Sequence, residues 1–113
     1  MQDNLFIESD NLQWEFAAKG IRRKILGYDN NLMTVAVDFE KGSIAAVHSH
    51  PHRQTTYVAG GVFEVEINGE KKILKQGDCF FIPPDIKHGV VCLEEGILVD
   101  TFTPYREDFI KNK

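Results

Sequence analysis

The sequence is poor in cysteine, with only Cys79 and Cys92 among its 113 residues. Neither cysteine belongs to a CxxC pair, and the chain is not disulfide-dense. Each lies in an apolar segment, DCFFIP or GVVCLE, of the kind in which a small thiol is commonly buried. We therefore expect two free cysteines in the core.

Long apolar runs and extended basic runs are also missing. No stretch approaches the roughly 18 apolar residues that a membrane span requires. The N-terminal MQDNLFIESDN has neither the basic nor the apolar region of a signal peptide. The formal net charge of −4 argues against nucleic acid or an anionic membrane surface as a partner. We expect a cytoplasmic protein.

The sequence does contain a succession of short strand patterns joined by turn residues. Apolar and polar residues alternate at 32–39 and at 62–67, and the Asn68–Gly69 pair that follows is a strong hairpin signal. The segment QTTYVAG is expected to end in a break at Gly60–Gly61 before the strand at 62–67, and EEG is expected to turn the chain between HGVVCL and the strand at 97–103. No amphipathic helix of useful length is present, and only the tail YREDFIKNK could form a helical turn. Eight or more short strands in one chain of this length predict an all-β sandwich or closed barrel.

The chain is long enough for one domain and too short for two, so we expect a single domain over residues 1–113. Within it, residues 1–15 are expected to form an N-terminal arm or an edge strand. Residues 16–104 would form the barrel, and residues 105–113 a C-terminal tail.

All four histidines lie between positions 48 and 88. His48 and His50 are two apart in a predicted strand, which points both side chains to the same face. Neighbouring imidazoles suit a shared metal ion, but the pair alone is equally compatible with ordinary hydrogen-bonded histidines. Gln54 follows the bend after this pair, and His88 lies in a loop that enters another strand. For His52, the simplest expectation is an exposed residue at the bend, and the alternative is a residue that supports the site or contacts the substrate.

A second polar group lies near the C-terminus, in ILVDTFTPYRED. Alternation along this strand places Leu98, Asp100 and Phe102 on one face, and aspartate is disfavoured in the middle of a strand. Asp100 is therefore either a carboxylate that lines the barrel or a residue at a bend or on the solvent face. Arg106 could fold back over the barrel mouth and bind a carboxylate, or it could simply pair with Glu107.

The spacing of these residues resembles the two motifs of the cupin superfamily. The first comprises Gly42, five residues, His48-x-His50, three residues, Gln54, six residues and Gly61; the second comprises Gly77, five residues, Pro83 and, later, His88. The resemblance implies an all-β cupin barrel, a double-stranded β-helix or jelly roll, and a homodimer. It also implies one divalent transition metal per chain, held by His48, His50, Gln54 and His88. Nickel, iron, manganese, cobalt and zinc all suit such ligands.

One departure from the cupin pattern concerns the chemistry of the site. Gln54 stands where cupins usually have a glutamate ligand. Three neutral imidazoles and a neutral amide leave the full charge of a divalent metal uncompensated, which favours an anionic ligand.

Longer segments resemble the small pectin-degradation cupins of the KdgF type, which linearise unsaturated uronate monomers. These segments span roughly residues 14–110 and include RRKILG, LMTVAVDFEKGS, HSHPH, FIPPDIKHGVVCLEEGILVDTFTP and REDF. The resemblance implies metal-dependent opening of cyclic 4,5-unsaturated galacturonate or guluronate, released from pectin or alginate, to 4-deoxy-5-keto uronate. It further implies that Asp100 transfers a proton, that Arg106 orients the substrate carboxylate, and that Phe102 forms an apolar wall.

Two other functions compete with this interpretation. Three histidines with open positions around a metal could serve an iron or nickel dioxygenase, although Gln54 replaces the glutamate base that some of these enzymes use. A non-catalytic module that senses sugars is the other alternative. The chain has no helix-turn-helix segment, so a sensor of this kind would need a separate partner.

Overall fold

The structure is a computed structural model that describes residues 4–110. The eight strands are β1 (Glu15–Ala18), β2 (Ile21–Tyr28), β3 (Met33–Phe39), β4 (Ile44–His48), β5 (Arg53–Ile67), β6 (Glu70–Lys75), β7 (Cys79–Ile82) and β8 (His88–Thr103). A 3₁₀ turn at Ser9–Asn11 precedes them, and a single helical turn, α1 (Glu107–Ile110), follows. The predicted all-β class and the helical turn in the tail are both confirmed. No helix in the described part of the chain is long and apolar enough to cross a membrane.

The eight strands form one antiparallel sheet in the described part of the chain. Its order is β1-β2-β3-β8-β5-β6, with β4 also paired to β8 and β7 also paired to β5. The beginning of β5 pairs with β7 and its end with β6, whereas the beginning of β8 pairs with β4 and its end with β3. These two long strands carry the chain from one half of the sheet to the other. The predicted jelly-roll barrel is confirmed.

The two long strands differ from the sequence expectation, which divided each of them into two short strands. The expected break at Gly60–Gly61 is a set of register shifts within β5, opposite the EEG segment of β8. Gly61 has a φ of +85°, and a Cβ atom there would lie 2.6 Å from the carbonyl oxygen of Glu95. A side chain on Gly96 would collide with the backbone of Gly60. Glycines let the strands bend together, so their hydrogen bonding continues through the corner.

The predicted hairpin at Asn68–Gly69 is present between β5 and β6. Asn68 has a φ of +51° and Gly69 a φ of +87°, which is the pair of positive values that a type I′ turn requires. Ile67 and Glu70 face each other across the turn. The turn therefore sets the register of β6 on β5.

Apolar side chains fill much of the barrel interior. The buried residues of this cluster are Ile21, Phe39, Val58, Phe63, Val65, Phe80, Ile82, Val90, Cys92 and Leu98. Phe39 and Phe63 meet edge to face, with their ring centroids 5.1 Å apart. Five residues of this cluster also line the cavity described below: Ile21, Phe39, Phe80, Val90 and Leu98.

The cysteine prediction is confirmed in one part and wrong in another. Both cysteines are free, and Cys92 is buried as expected. Cys79 is exposed, because alternation along β7 turns Cys79 and Phe81 outward while Phe80 and Ile82 face the core. Apolar neighbours in the sequence therefore did not indicate the face on which this cysteine lies.

The N-terminal segment is not the edge strand that the sequence left open as one alternative. Residues 5–8 have no strand partner, and Leu5 and Phe6 are 88% and 83% exposed. The chain then crosses β2, where the buried ammonium of Lys24 donates to the Ser9 carbonyl at 3.0 Å. Residues 1–3 of the predicted arm and residues 111–113 of the predicted tail lie outside the described part of the chain.

Candidate metal centre

Three histidines converge where β4 ends and β8 begins. His48 ends β4 and is paired in register with His88, the first residue of β8, and their ring centroids lie 4.6 Å apart. The His50 ring lies 4.9 Å from that of His88 and 5.6 Å from that of His48. One ligand nitrogen from each histidine can be chosen so that all three lie within 4.8 Å of one another.

His50 is not in the strand that the sequence predicted for it. Because β8 begins at His88, β4 has no partner beyond His48, and the strand ends there. His50 therefore belongs to the bend between β4 and β5. Even so, its ring turns inward and is buried, whereas His48 remains exposed.

All three histidine rings are fixed by the same kind of hydrogen bond. In each ring Nδ1 lies within hydrogen-bonding distance of a backbone carbonyl oxygen two residues away: that of Ala46 for His48 (2.9 Å), of His52 for His50 (3.1 Å) and of Ile86 for His88 (2.9 Å). A neutral imidazole that donates from Nδ1 keeps a free electron pair on Nε2, which is the form that binds a metal. Burial lowers the pKa of His50, and it lowers the pKa of His88 to about 4, so both rings are neutral at neutral pH.

Gln54 completes the set of donors. Its Oε1 atom lies 2.9 Å from Nε2 of His50. When His50 donates through Nδ1, these two atoms are both acceptors, so the close approach needs a cation between or beside them. Neighbouring ligands of a transition metal lie roughly 3 Å apart when each metal–ligand bond is about 2.1 Å. The donor set of His48, His50, His88 and Gln54 therefore fits a divalent metal ion.

The other end of the Gln54 amide explains why an amide suits this position. Its Nε2 donates to the Thr56 hydroxyl at 2.9 Å and lies 3.4 Å from Oδ1 of Asp100. The Thr56 hydroxyl in turn donates to the same Asp100 oxygen at 2.6 Å. A glutamate at position 54 would place a second carboxylate oxygen next to Asp100, and the two like charges would repel each other.

Asp100 lies inside the barrel and not at a bend or on the solvent face. It is paired in register with Thr56 of β5 and with Val35 of β3, between Leu98 and Phe102 on the inward face of β8. Burial raises the pKa of Asp100 to about 6, against the opposing effect of the Thr56 hydrogen bond. The sequence did not single out Thr56, although its spacing of two from Gln54 on a strand predicts the same face.

A cavity of about 390 Å³ joins these groups to the C-terminal turn. The chemically functional side chains that line it are those of Arg23, His48, Gln54, His88, Asp100, Phe102, Arg106 and Phe109. Phe102 is buried and meets the His50 ring edge to face at 5.8 Å. The structure thus brings the two polar groups that the sequence indicated, the histidine set and the C-terminal set, to one site.

Arg106 folds back to the barrel mouth, but its acidic partner is not the Glu107 that the sequence suggested. Its guanidinium forms a fork with Asp108, with Nε and Nη2 donating at 3.0 Å and 2.8 Å. These hydrogen bonds lower the pKa of Asp108. Phe109 and Arg23 also belong to this corner of the cavity, and neither carried a signal in the sequence because their spacing from the motifs is set only by the fold.

His52 is partly buried, which corrects the expectation of an exposed residue at the bend. Its ring lies 5.4 Å from that of His50 and 6.3 Å from that of Phe102. The buried Nδ1 atom of His52 has no hydrogen-bond partner among the described residues. Through its backbone carbonyl, His52 supports the orientation of His50.

A jelly-roll barrel in which three histidines and a glutamine converge at one site defines a cupin. Comparison with known proteins agrees, since the model of the cupin domain family matches residues 35–101. The chain belongs to the cupin family.

Two solved structures and one curated protein place it more closely. The chain is 50% identical over 103 residues to the pectin degradation protein KdgF of Dickeya dadantii (strain 3937), covering 89% of this chain and 94% of that protein. An RmlC-like cupin from Shewanella frigidimarina NCIMB 400 superimposes with a TM-score of 0.92 at 44% identity, over 96% of this chain and 97% of that one. KdgF from Halomonas sp. superimposes with a TM-score of 0.90 at 39% identity, over 94% and 98%. Within the cupins, the chain belongs to the KdgF family, as the sequence resemblance predicted.

Proposed function

We propose that the protein acts in pectin or alginate breakdown by opening the ring of 4,5-unsaturated uronate monosaccharides to give 4-deoxy-5-keto uronate. One observation carries the proposal. Two of the three histidines, the glutamine, a carboxylate and an arginine line the same cavity, and the chain belongs to a family whose curated member is a pectin degradation protein. A small anionic sugar is the ligand that this combination of charges suits.

The metal would be held by His48, His50, Gln54 and His88. When bound, a divalent transition metal in this neutral donor set would act as a Lewis acid toward the carboxylate and ring oxygens of the sugar. The same uncompensated positive charge would favour an anionic ligand over a neutral one.

Asp100 is proposed to move the proton. The carboxylate accepts the proton of the anomeric hydroxyl, the C1 carbonyl forms, and the bond between C1 and the ring oxygen breaks. The electron pair left on the ring oxygen makes an enolate with C4 and C5, and proton delivery to C4 gives the 5-keto product. Substrate and product are isomers, so the step needs no oxidant or other co-reactant. The hydrogen bond from Thr56 fixes the carboxylate for this role.

Arg106 and Phe102 are proposed to orient the sugar. Arg106 lines the cavity, and the N–H groups that its fork with Asp108 leaves free would bind the C6 carboxylate of the substrate. Phe102 presents an apolar ring beside His50 and would form a wall against the sugar ring.

The same proposal includes a setting and an oligomeric state. Two free thiols, Cys79 and Cys92, suit a reducing cytoplasm.

A homodimer is proposed from the cupin resemblance. Tyr57 on β5 and Phe81 on β7 point outward and are 49% and 54% exposed, so they are candidates for its contact face. Light scattering after gel filtration should give twice the chain mass, and Tyr57→Asp should shift it toward the monomer. A monomeric wild-type protein would contradict the homodimer.

The test of the proposed activity follows the ultraviolet absorbance of unsaturated galacturonate, because the conjugated 4,5-ene is consumed. Metal-loaded protein should accelerate the loss of absorbance above the spontaneous rate. Binding without acceleration would favour the sugar-sensing module, and oxygen uptake with the absorbance loss would favour a dioxygenase.

A further inference from the structure

The C-terminal turn holds Arg106 through two separate contacts. On one side, Asp108 accepts from Nε and Nη2 of the guanidinium. On the other, the Arg106 Cζ atom lies 4.2 Å from the centroid of the Phe109 ring. Arg23 of β2 stacks on the same ring, with its Cζ atom 3.7 Å from the centroid. The turn is thus fastened to the barrel through an aromatic ring that contacts two guanidinium groups.

Arg23 is itself fixed, and this makes it a rigid support for the ring. Its Nε donates to Oε1 of Glu15 on β1 at 2.8 Å. A guanidinium on an aromatic face is attracted by the ring quadrupole. Phe109 also meets Phe102 edge to face at 5.9 Å, which ties the turn to the inward face of β8.

Asp108 lies on the solvent side of Arg106. The Asp108 side chain is 57% exposed, whereas that of Arg106 is 13% exposed and lines the cavity. A guanidinium has five N–H donors, so a fork that uses two of them leaves three for a ligand. Asp108 therefore does not fill the space where a substrate carboxylate would bind.

We infer that Asp108 and Phe109 are positioning residues that hold Arg106 at the cavity, so that its remaining N–H groups meet the carboxylate of a uronate. The inference rests on the proposed function, because it assigns a role within that same site. An arginine has several rotatable bonds, and α1 is a single turn; without these contacts the guanidinium would sample many orientations. Both residues act through Arg106 and need not touch the substrate.

The first test compares Asp108→Asn with Glu107→Gln. Each variant removes one negative charge from the same turn, and Glu107 is exposed with no fork to Arg106. The loss of one negative charge should therefore affect the two variants almost equally. Asp108→Asn should raise KM for unsaturated galacturonate about tenfold while kcat changes less than about twofold, since carboxylate binding is shared by ground and transition states. Glu107→Gln should leave both constants near the wild-type values. Equal KM values in the two variants, or a lower KM in Asp108→Asn, would overturn the inference.

A second pair of variants tests the aromatic ring. Phe109→Leu keeps an apolar side chain but removes the aromatic face, and it should raise KM roughly fivefold. Phe109→Tyr keeps the aromatic face and should have a KM near the wild-type value. A KM that is the same in the Leu and Tyr variants would remove Phe109 from this role.

Calorimetry separates failure of the inference from failure of the proposed function. Saturated galacturonate and neutral galactose serve as probes that do not turn over. Asp108→Asn should weaken galacturonate binding about tenfold and leave the affinity for galactose unchanged. One outcome is that the wild-type protein fails to open unsaturated galacturonate while Asp108→Asn still weakens the binding of galacturonate and not of galactose. In that case the ring-opening proposal fails and the positioning inference stands. An equal effect on both sugars would contradict the inference.

Discussion

Asp100→Asn is the substitution that tests the proposed proton transfer most selectively. Asparagine has nearly the same size as aspartate, and its Oδ1 can still accept the hydrogen bonds from Thr56 (2.6 Å) and Gln54 (3.4 Å). The fold and the amide of Gln54 should therefore be undisturbed. What is lost is the basic oxygen that would accept the anomeric proton.

The expected loss in kcat is about 10²–10⁴-fold, the usual contribution of a general acid or base. This corresponds to roughly 3–5 kcal/mol in the activation barrier. The metal content should stay at the wild-type level, because Asp100 is not in the proposed ligand set. Asp38→Asn is a matched control, since Asp38 is on the neighbouring strand β3 and pairs with Arg22 at the surface. Rates should be followed by the absorbance of unsaturated galacturonate, with metal measured by mass spectrometry. Wild-type turnover in Asp100→Asn would remove this residue from the mechanism.

Three further predictions concern the metal, the amide ligand and the thiols. Purified protein should contain close to one divalent metal per chain by elemental analysis, and His48→Ala with His88→Ala should lose it; full metal content in the double variant would refute the ligand assignment. Gln54→Glu should keep the metal but bind galacturonate more weakly in calorimetry, because the new carboxylate beside Asp100 lowers the net charge of the site by one; unchanged affinity would mean that the anion is not bound at the metal. Cys79→Ser with Cys92→Ser should retain activity, and unreduced protein should show two free thiols by mass spectrometry; a disulfide would contradict the cytoplasmic setting.

The sequence predicted those parts of the fold that depend on local patterns. Asn68–Gly69 specified its hairpin because both residues accept the positive φ values of a type I′ turn. Alternation placed Leu98, Asp100 and Phe102 on one face, and the strand pairing confirms that face. Gly60 and Gly61 indicated an interruption of the strand, but the sequence did not show whether the strand would end or bend there. The outcome depends on the neighbouring strands, with which β5 stays paired.

The residues of the site that lie in the sequence motifs could be predicted. Those that reach the site only through the folding of distant segments could not. His48, His50, Gln54 and His88 were predicted from their resemblance to the cupin motifs, and the structure brings them together. Glu107 and Asp108 were both possible partners of Arg106 in the sequence. Only the geometry of the C-terminal turn selects Asp108. Arg23 is far from the motifs in sequence and reaches the cavity only because β2 lies next to β3 in the sheet.

Proton nuclear magnetic resonance of unsaturated galacturonate, with and without the metal-loaded protein, tests the central claim most directly. The claim predicts that the vinyl H4 signal disappears faster with protein, while signals of a C4 methylene group and of an opened C1 aldehyde or its hydrate rise at the same rate. Asp100→Asn should lose most of this acceleration. A vinyl signal that decays at the same rate with and without the metal-loaded wild-type protein would contradict the account.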